Sequence, residues 1–321
     1  MRNTVQHDPV SVLSGHRYLR VDQARTDLVT RSQLHPAFIK VCIDSIDEKR
    51  KRSATPLIGE IFPHIVAEGL QLADGDRRDL AAAWLAMYGY ISISDFEIDR
   101  RGHLPGVSSV ACGSLLAWSI ATVSKFTVGT PFHRTFTSNV ARAFAAQYAD
   151  VQSRKDPNFD RAAADADKNR AVVAMISGYC AAARQPTSCL VDATERVLGS
   201  FQILDDLQDV CEDAAEDNLT TFVRVLRDVS PKSIESISEP AAYSLLVRDG
   251  RVLDELERVV PPLEEAMLIL DAERDRALLG YLGHLTNQVR TLIGLITDAR
   301  SNHAIDEPTI YAHIREIVCH C

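Results

Sequence analysis

The sequence has few of the residues that mark β-rich proteins. Aromatic residues make up 6% of the 321 positions, and there are only 15 glycines and 13 prolines. This scarcity argues against many short strands joined by turns, whereas abundant alanine and leucine favour helices. Seven cysteines, an odd number at scattered positions, show no disulfide framework and indicate a reducing compartment. We therefore predict an all-α protein.

Several functional patterns are also missing. The chain has no Gly-rich dinucleotide fingerprint, no P-loop and no nucleophile elbow, so dinucleotide-binding and serine-hydrolase functions have no support. The net charge of −9 excludes the broad basic face that nucleic acid requires. A content of 46% apolar and 25% charged residues excludes disorder. We expect a globular protein that does not bind nucleic acid.

No membrane-targeting segment is expected. The first thirty residues lack the apolar core of a signal peptide, which favours a cytoplasmic location. Residues 104–124 carry no charge over the length of a membrane span. Pro105, Gly106 and several serines dilute this run, so we interpret it as a buried core helix and expect no stable membrane insertion.

Helical periodicity dominates the chain from about residue 35 to about residue 318, without repeats or long linkers. We predict an N-terminal extension over 1–34 and one helical domain over 35–321. The predicted helices lie near residues 35–51, 56–73, 76–99, 108–126, 131–153, 159–184, 187–214, 240–247, 251–272, 273–300 and 307–318.

Two of these helices end in acidic residues on the face that continues an apolar stripe. In the first, the stripe runs through Leu80 and Trp84 to Asp95 and Asp99. In the second, residues 190–204 lead into Asp205, Asp206 and Asp209. Acids at a helix C-terminus oppose the helix dipole, so a cation is expected to compensate them.

Paired carboxylates on two helices offer hard oxygen ligands suited to a partly hydrated Mg²⁺ that bridges to phosphate. Arg100 and Arg101 follow Asp99 directly and have the geometry to bind a diphosphate. A solvated acidic helix end explains either motif alone. Two such motifs together favour a site where Mg²⁺ and arginine make diphosphate a good leaving group.

Residues 201–209, Phe-Gln-Ile-Leu-Asp-Asp-Leu-Gln-Asp, resemble the second aspartate-rich motif of the trans (E) isoprenyl diphosphate synthases, also called the polyprenyl synthetase family. Residues 95–99 resemble the first such motif with Phe96 in place of an aspartate, and residues 100–102 resemble its Arg-Arg-Gly. Residues 49–52 are similar to a Lys-Arg-x-Arg element of the family, and Lys168 falls at the position of its Lys-Thr pair. The resemblance covers roughly residues 49 to 222 and indicates a divergent member.

The resemblance implies a single large helical bundle of the isoprenoid synthase type. It also implies up to three Mg²⁺ ions, an allylic prenyl diphosphate and isopentenyl diphosphate as substrates, chain elongation through an allylic cation, and a homodimer. Tyr90 would form the floor of the prenyl pocket, and Asp206 would belong to the catalytic set. By the same resemblance, the metal ligands are Asp95, Asp99, Asp205 and Asp209; the allylic diphosphate contacts are Arg100 and Lys168; the isopentenyl diphosphate contacts are Lys49, Arg52 and Arg101; and Gln202 lines the cavity.

The departures from the family pattern keep other functions open. Phe96 removes one acid, Asn169 replaces a threonine, and Asn218 replaces a lysine that would contact the allylic diphosphate. If isopentenyl diphosphate does not bind, the cation would be quenched internally, as in a terpene cyclase, or captured by another acceptor such as an indole. The Asp-Asp-x-x-Asp form of the second motif argues against a cyclase. A non-catalytic partner subunit is a further alternative.

Overall fold

The computed structural model describes residues 9–50, 58–98, 107–153, 167–184, 188–215, 218–230, 237–302 and 307–320. Within these ranges the chain forms fourteen helices and no strand, which confirms the predicted all-α class. The helices are α1 (Pro9–Arg31), α2 (Pro36–Arg50), α3 (Ile58–Ala67), α4 (Asp74–Ile98), α5 (Val107–Thr127), α6 (Phe132–Ser153), α7 (Arg170–Ala182), α8 (Ser188–Gln208), α9 (Val210–Ala215), α10 (Thr221–Val229), α11 (Glu239–Arg248), α12 (Gly250–Ile269), α13 (Arg276–Asn302) and α14 (Glu307–His320).

Two helices were missed by the sequence pattern, and one predicted helix is divided. Helix α1 is largely polar and buries a narrow stripe that includes Val21, Ala24 and Leu28, so its periodicity is weak. Helix α10 has nine residues, too few for a clear helical period. The predicted helix 187–214 consists of α8 and α9, which are separated at Asp209.

The chain divides into two compact units. The first comprises Met1–Ser138, Val172–Val191 and Asp271–Tyr281, and the second comprises Asn139–Ala171, Asp192–Leu270 and Leu282–Cys321. The predicted division into an extension over 1–34 and one domain over 35–321 stays a prediction. Helix α1 lies within the first unit and packs against α4.

Helix α4 is the central element of the first unit. It packs against α1, α2, α3 and α5, and every side chain from Leu80 to Met87 is buried. The sequence predicted a helix with one apolar stripe. In the structure, residues 80–87 are instead buried on every side of the helix. Polar groups tie it to its neighbours: Trp84 Nε1 donates to the Gly59 carbonyl at 2.8 Å, and the Ser119 hydroxyl donates to the Ala83 carbonyl at 2.8 Å.

Close packing of α2 on α4 depends on a glycine. A Cβ atom added to Gly89 would lie 2.1 Å from Sγ of Cys42, so a larger residue at position 89 would force the two helices apart. Gly89 directly precedes Tyr90 on α4. The contact therefore places α2 beside the segment of α4 that leads to Asp95.

The second unit places the end of α8 against α11 and α12. The Ser200 hydroxyl donates to the Val259 carbonyl of α12 at 2.9 Å. The buried hydroxyl of Tyr243, on α11, lies 3.1 Å from the Leu207 carbonyl oxygen and 2.9 Å from that of Gln208. Tyr243 therefore ties α11 to the end of α8, next to the acidic residues.

Among the residues that the structure describes, one helix has the length and composition to cross a membrane, namely Ser108–Thr127 within α5. In the fold, α5 packs against α2 and α4. Its residues Ala111, Leu115 and Val123 are completely buried. These residues form one buried face of α5, and Val110 of the same helix is 58% exposed, so the expectation that this helix does not insert into a membrane stays a prediction.

Candidate active site

The acidic end of α8 is the site that the structure describes most completely. Phe201, Leu204 and Leu207 of this helix are buried, Asp205 is exposed, and Asp206 is half-buried. Burial of the apolar residues therefore turns the carboxylates of the second motif out of the core.

The helical path continues through the break after α8. The Asp209 N–H donates to the Asp205 carbonyl at 2.9 Å, and the Asp213 N–H donates to the Asp209 carbonyl at 2.8 Å. Because residues four apart lie on one helix face, this path aligns Asp205, Asp209 and Asp213. Asp213 was absent from the predicted site, although extending the four-residue spacing by one step would have found it.

Asp213 lies where negative charge is concentrated. It is buried, and its pKa is raised to about 8 by that burial and by the charges of Asp206 and Asp205. A hydrogen bond from Asn218 and the positive charge of Lys168 act in the opposite direction. The charges of Asp205 and Asp206 thus oppose ionisation of Asp213, and a bound cation would favour its ionised form.

Gln202 is hydrogen-bonded to an aspartate at the acidic end of α8. Its side chain is buried, and Nε2 donates to Oδ1 of Asp206 at 2.7 Å. Its Oε1 atom accepts a hydrogen bond of 3.2 Å from Nδ2 of Asn169. Gln202 therefore connects the segment that carries Lys168 and Asn169 to the carboxylate of Asp206.

Asn218 faces the acidic cluster rather than solvent. It is buried, its Nδ2 donates to Oδ1 of Asp213 at 2.7 Å, and its own N–H donates to the Asp213 carbonyl at 2.8 Å. Two residues later, the Thr220 hydroxyl caps α10. A neutral amide thus occupies the position where the resemblance places a lysine.

In the first unit, α4 carries Asp95 and Tyr90. Asp95 is half-buried near the end of the helix. Tyr90 is half-buried against the apolar cluster formed by α1, α2, α4 and α5. Burial raises the pKa of its hydroxyl, which forms a hydrogen bond with Ser94 one turn further along the helix.

The structure brings together the predicted residues Lys168, Gln202, Asp205, Asp206 and Asp209 within the second unit. Asp95 and Tyr90 belong to the first unit. The other predicted residues, or their side chains, lie outside the described residues: Lys49, Arg52, Asp99, Arg100 and Arg101.

Mg²⁺ fits the chemistry of this donor set. The second unit supplies carboxylate oxygens, the ligands that this ion prefers, and their mutual repulsion calls for positive charge. Among the residues that the structure describes, no three His, Cys, Asp or Glu side chains enclose an ion by themselves. A Mg²⁺ ion bound by one or two of these carboxylates, with water and substrate phosphate as its remaining ligands, agrees with the concentrated negative charge and with the lack of a three-residue site among the described residues.

Comparison with known proteins identifies the architecture. The chain matches no protein-family model and no curated protein sequence. A geranyltranstransferase from Thermotoga maritima superposes with a TM-score of 0.62 at 15% identity, covering 86% of this chain and 99% of that one. The chain has the isoprenoid synthase fold. A geranylgeranyl pyrophosphate synthetase from the archaeon Geoglobus acetivorans gives a TM-score of 0.64 at 14% identity, covering 87% and 98%.

This isoprenoid synthase fold was expected from the aspartate-rich motifs and is confirmed. At 14% and 15% identity the likeness concerns the fold. The same fold can carry different chemistry, because function depends on the residues of the site.

Proposed function

We propose that the chain is a Mg²⁺-dependent prenyltransferase that ionises an allylic prenyl diphosphate and condenses it with isopentenyl diphosphate. The acidic end of α8 carries this proposal: Asp205, Asp206 and Asp209, with Asp213 behind them and Lys168 close enough to act on Asp213. The fold, and the names of the two structural neighbours, support prenyl transfer as the reaction class.

Each group of the site has a distinct task in the proposed reaction. Asp205 and Asp209 hold Mg²⁺ in the second unit, and Asp95 with Asp99 contributes to metal binding from α4 and the residues after it. Bound Mg²⁺ supplies charge neutralisation on the diphosphate oxygens, which makes diphosphate a better leaving group. Lys168 binds the same diphosphate. Gln202 orients Asp206 through their hydrogen bond of 2.7 Å.

Five further residues complete the proposal by resemblance. Arg100 assists Lys168 on the allylic diphosphate, and Lys49, Arg52 and Arg101 bind isopentenyl diphosphate. Tyr90 limits the length of the prenyl tail. We propose a homodimer in the cytoplasm as the working form, with up to three Mg²⁺ ions in each active site.

A second candidate is a terpene cyclase of the isoprenyl-diphosphate-synthase-like type, or prenyl transfer to another acceptor. Asn218 favours it, because its amide donates to Asp213 and supplies no positive charge for an allylic diphosphate. A non-catalytic partner subunit is the minor alternative.

One experiment separates these functions. The purified protein is incubated with Mg²⁺ and allylic diphosphates of ten, fifteen and twenty carbons, with and without isopentenyl diphosphate. Longer diphosphates that form only with isopentenyl diphosphate support elongation. Hydrocarbons or alcohols formed without it support cyclisation, and the absence of both turnover and diphosphate binding supports the partner subunit.

A further inference from the structure

Asp167 lies immediately before Lys168 and is held by two arginines. Arg142 of α6 approaches the carboxylate at two points, with Nη2 2.6 Å from Oδ1 and Nε 2.9 Å from Oδ2. Arg170, at the start of α7, donates from Nε to Oδ1 at 3.0 Å. Two-point arginine–carboxylate pairs restrict orientation as well as distance, so the backbone at position 167 is fixed from two helices.

Arg170 is itself anchored. Its side chain is only 13% exposed, and Nη1 contacts Oδ1 of Asn139 on α6 at 3.3 Å and the carboxylate of Glu195 on α8. The ion-pair chain thus extends from Arg142 through Asp167 and Arg170 to Glu195. It connects the segment before α7 to the helix that ends in the acidic cluster.

The ionised form of Asp167 is the one that these contacts stabilise. Burial opposes ionisation, but hydrogen bonds from Arg142 and Arg170 outweigh it and hold the pKa of the carboxyl below its ordinary value. The carboxylate is therefore charged at neutral pH, and its hydrogen bonds are of the strong, charge-assisted kind.

The residues that follow Asp167 reach the proposed site. The charge of Lys168 acts on Asp213, and Asn169 donates to Gln202, which holds Asp206. A shift of the backbone at position 167 would therefore move the cation that faces the diphosphate.

We propose that Asp167 is a positioning residue that, through its ion pairs with Arg142 and Arg170, holds Lys168 where it binds the diphosphate of the substrate. This inference rests on the proposed function. Asp167 does not itself contact the diphosphate. It acts through the series of ion pairs that runs from Arg142 on α6 to Glu195 on α8.

The test measures binding of inorganic diphosphate at a fixed, saturating Mg²⁺ concentration by isothermal titration calorimetry. The variants are Asp167→Ala, Lys168→Ala and the double variant, with urea unfolding of each recorded in parallel. Arg142→Gln weakens the same ion pair from the other side, and because Arg142 is 47% exposed we expect this variant to fold. Glu265→Gln is the matched control: it removes the exposed Arg196–Glu265 pair of 2.6 Å, which also anchors α8.

We expect Asp167→Ala to weaken diphosphate binding by about tenfold, as is typical when a group that orients a ligand-binding residue is removed. Arg142→Gln gives a smaller loss in the same direction, because Arg170 still pairs with Asp167. The double variant binds no more weakly than Lys168→Ala, because both changes act through one amine. Glu265→Gln binds like the wild type.

Two results would overturn the positioning role while leaving the proposed function intact. One is wild-type affinity in Arg142→Gln and in Asp167→Ala, with only a lower free energy of unfolding. The other is a double variant whose loss equals the product of the two single losses. If the wild-type protein itself binds no diphosphate with Mg²⁺, the proposed function fails and the inference fails with it.

Discussion

Asn218 donates a hydrogen bond of 2.7 Å to the carboxyl group of Asp213, and both side chains are buried. The same asparagine also donates from its backbone to the Asp213 carbonyl at 2.8 Å. This double contact ties Asn218, shortly before α10, to Asp213 of α9. A residue that departs from the family pattern is therefore part of the local structure of the site.

Replacing Asn218 should destabilise the fold. Asn218→Ala leaves the buried carboxyl of Asp213 without this donor, so we expect the free energy of unfolding to fall by about 1–3 kcal/mol. Urea denaturation without Mg²⁺ at pH 7 measures the change. Asp213→Asn is the control, because it keeps an acceptor for Asn218 and removes an acid whose ionisation its neighbours oppose. Unfolding of Asn218→Ala at the wild-type urea concentration would contradict the assignment.

Asp205→Ala should abolish turnover while leaving the protein folded. Asp205 is exposed, so its removal costs little stability, but it takes away a carboxylate that we assign to Mg²⁺. Asp95→Ala should have the same effect in the first unit. Steady-state assays with an allylic diphosphate, combined with circular dichroism, test both variants. Asp192→Ala, which removes an exposed acid earlier on α8, should remain active. Full activity of Asp205→Ala would refute the metal-ligand assignment.

Tyr90→Ala should lengthen the product. Tyr90 is half-buried beside the apolar cluster of the first unit, and removal of its ring would open space for a longer prenyl tail. Product chain length is measured by mass spectrometry. Tyr90→Phe keeps the ring and should give wild-type products, as should Tyr88→Phe, which alters a neighbouring tyrosine of the same cluster. An unchanged product from Tyr90→Ala would exclude the pocket-floor role.

The contribution of His64 to stability should fall as the pH is lowered from about 6.5 to about 4, whereas buried Asp213, with its pKa raised to about 8, contributes in the opposite direction. His64 is buried, and that burial, with a smaller effect of Arg20, lowers its pKa from 6.5 to about 4. In this interval the unfolded chain binds a proton that the folded chain excludes. The full shift corresponds to about 3 kcal/mol at 1.36 kcal/mol per pKa unit.

Urea unfolding between pH 4 and pH 8 tests the His64 prediction. His64→Gln removes this titrating group, so its free energy of unfolding should rise relative to that of the wild type as the pH falls from about 6.5 to about 4. His35→Gln, a change at an exposed histidine, should keep the wild-type slope. An identical slope in His64→Gln and the wild type would show that another group is responsible.

The predictable part of the fold came from periodicity. Long segments such as α6 and α13 have clear helical patterns, and their predicted bounds lie within about three residues of those observed. Helix α1 was missed because its apolar stripe is narrow, and α10 because it is short. The burial of α4 on all sides could not be read from its sequence, since it arises from packing against four other helices.

For the candidate site, the sequence by itself determined which residues carry charge and how they are spaced. It predicted the aspartates of α8, and the two structural neighbours agree with the fold that these motifs imply. Only the tertiary structure decided that Gln202 accepts a hydrogen bond from Asn169, that Asp167 is held by Arg142, and that Arg170 pairs with Glu195. The physical reason is that spacing along one helix specifies a face, whereas hydrogen bonds and ion pairs between helices depend on residues distant in sequence that only folding brings together.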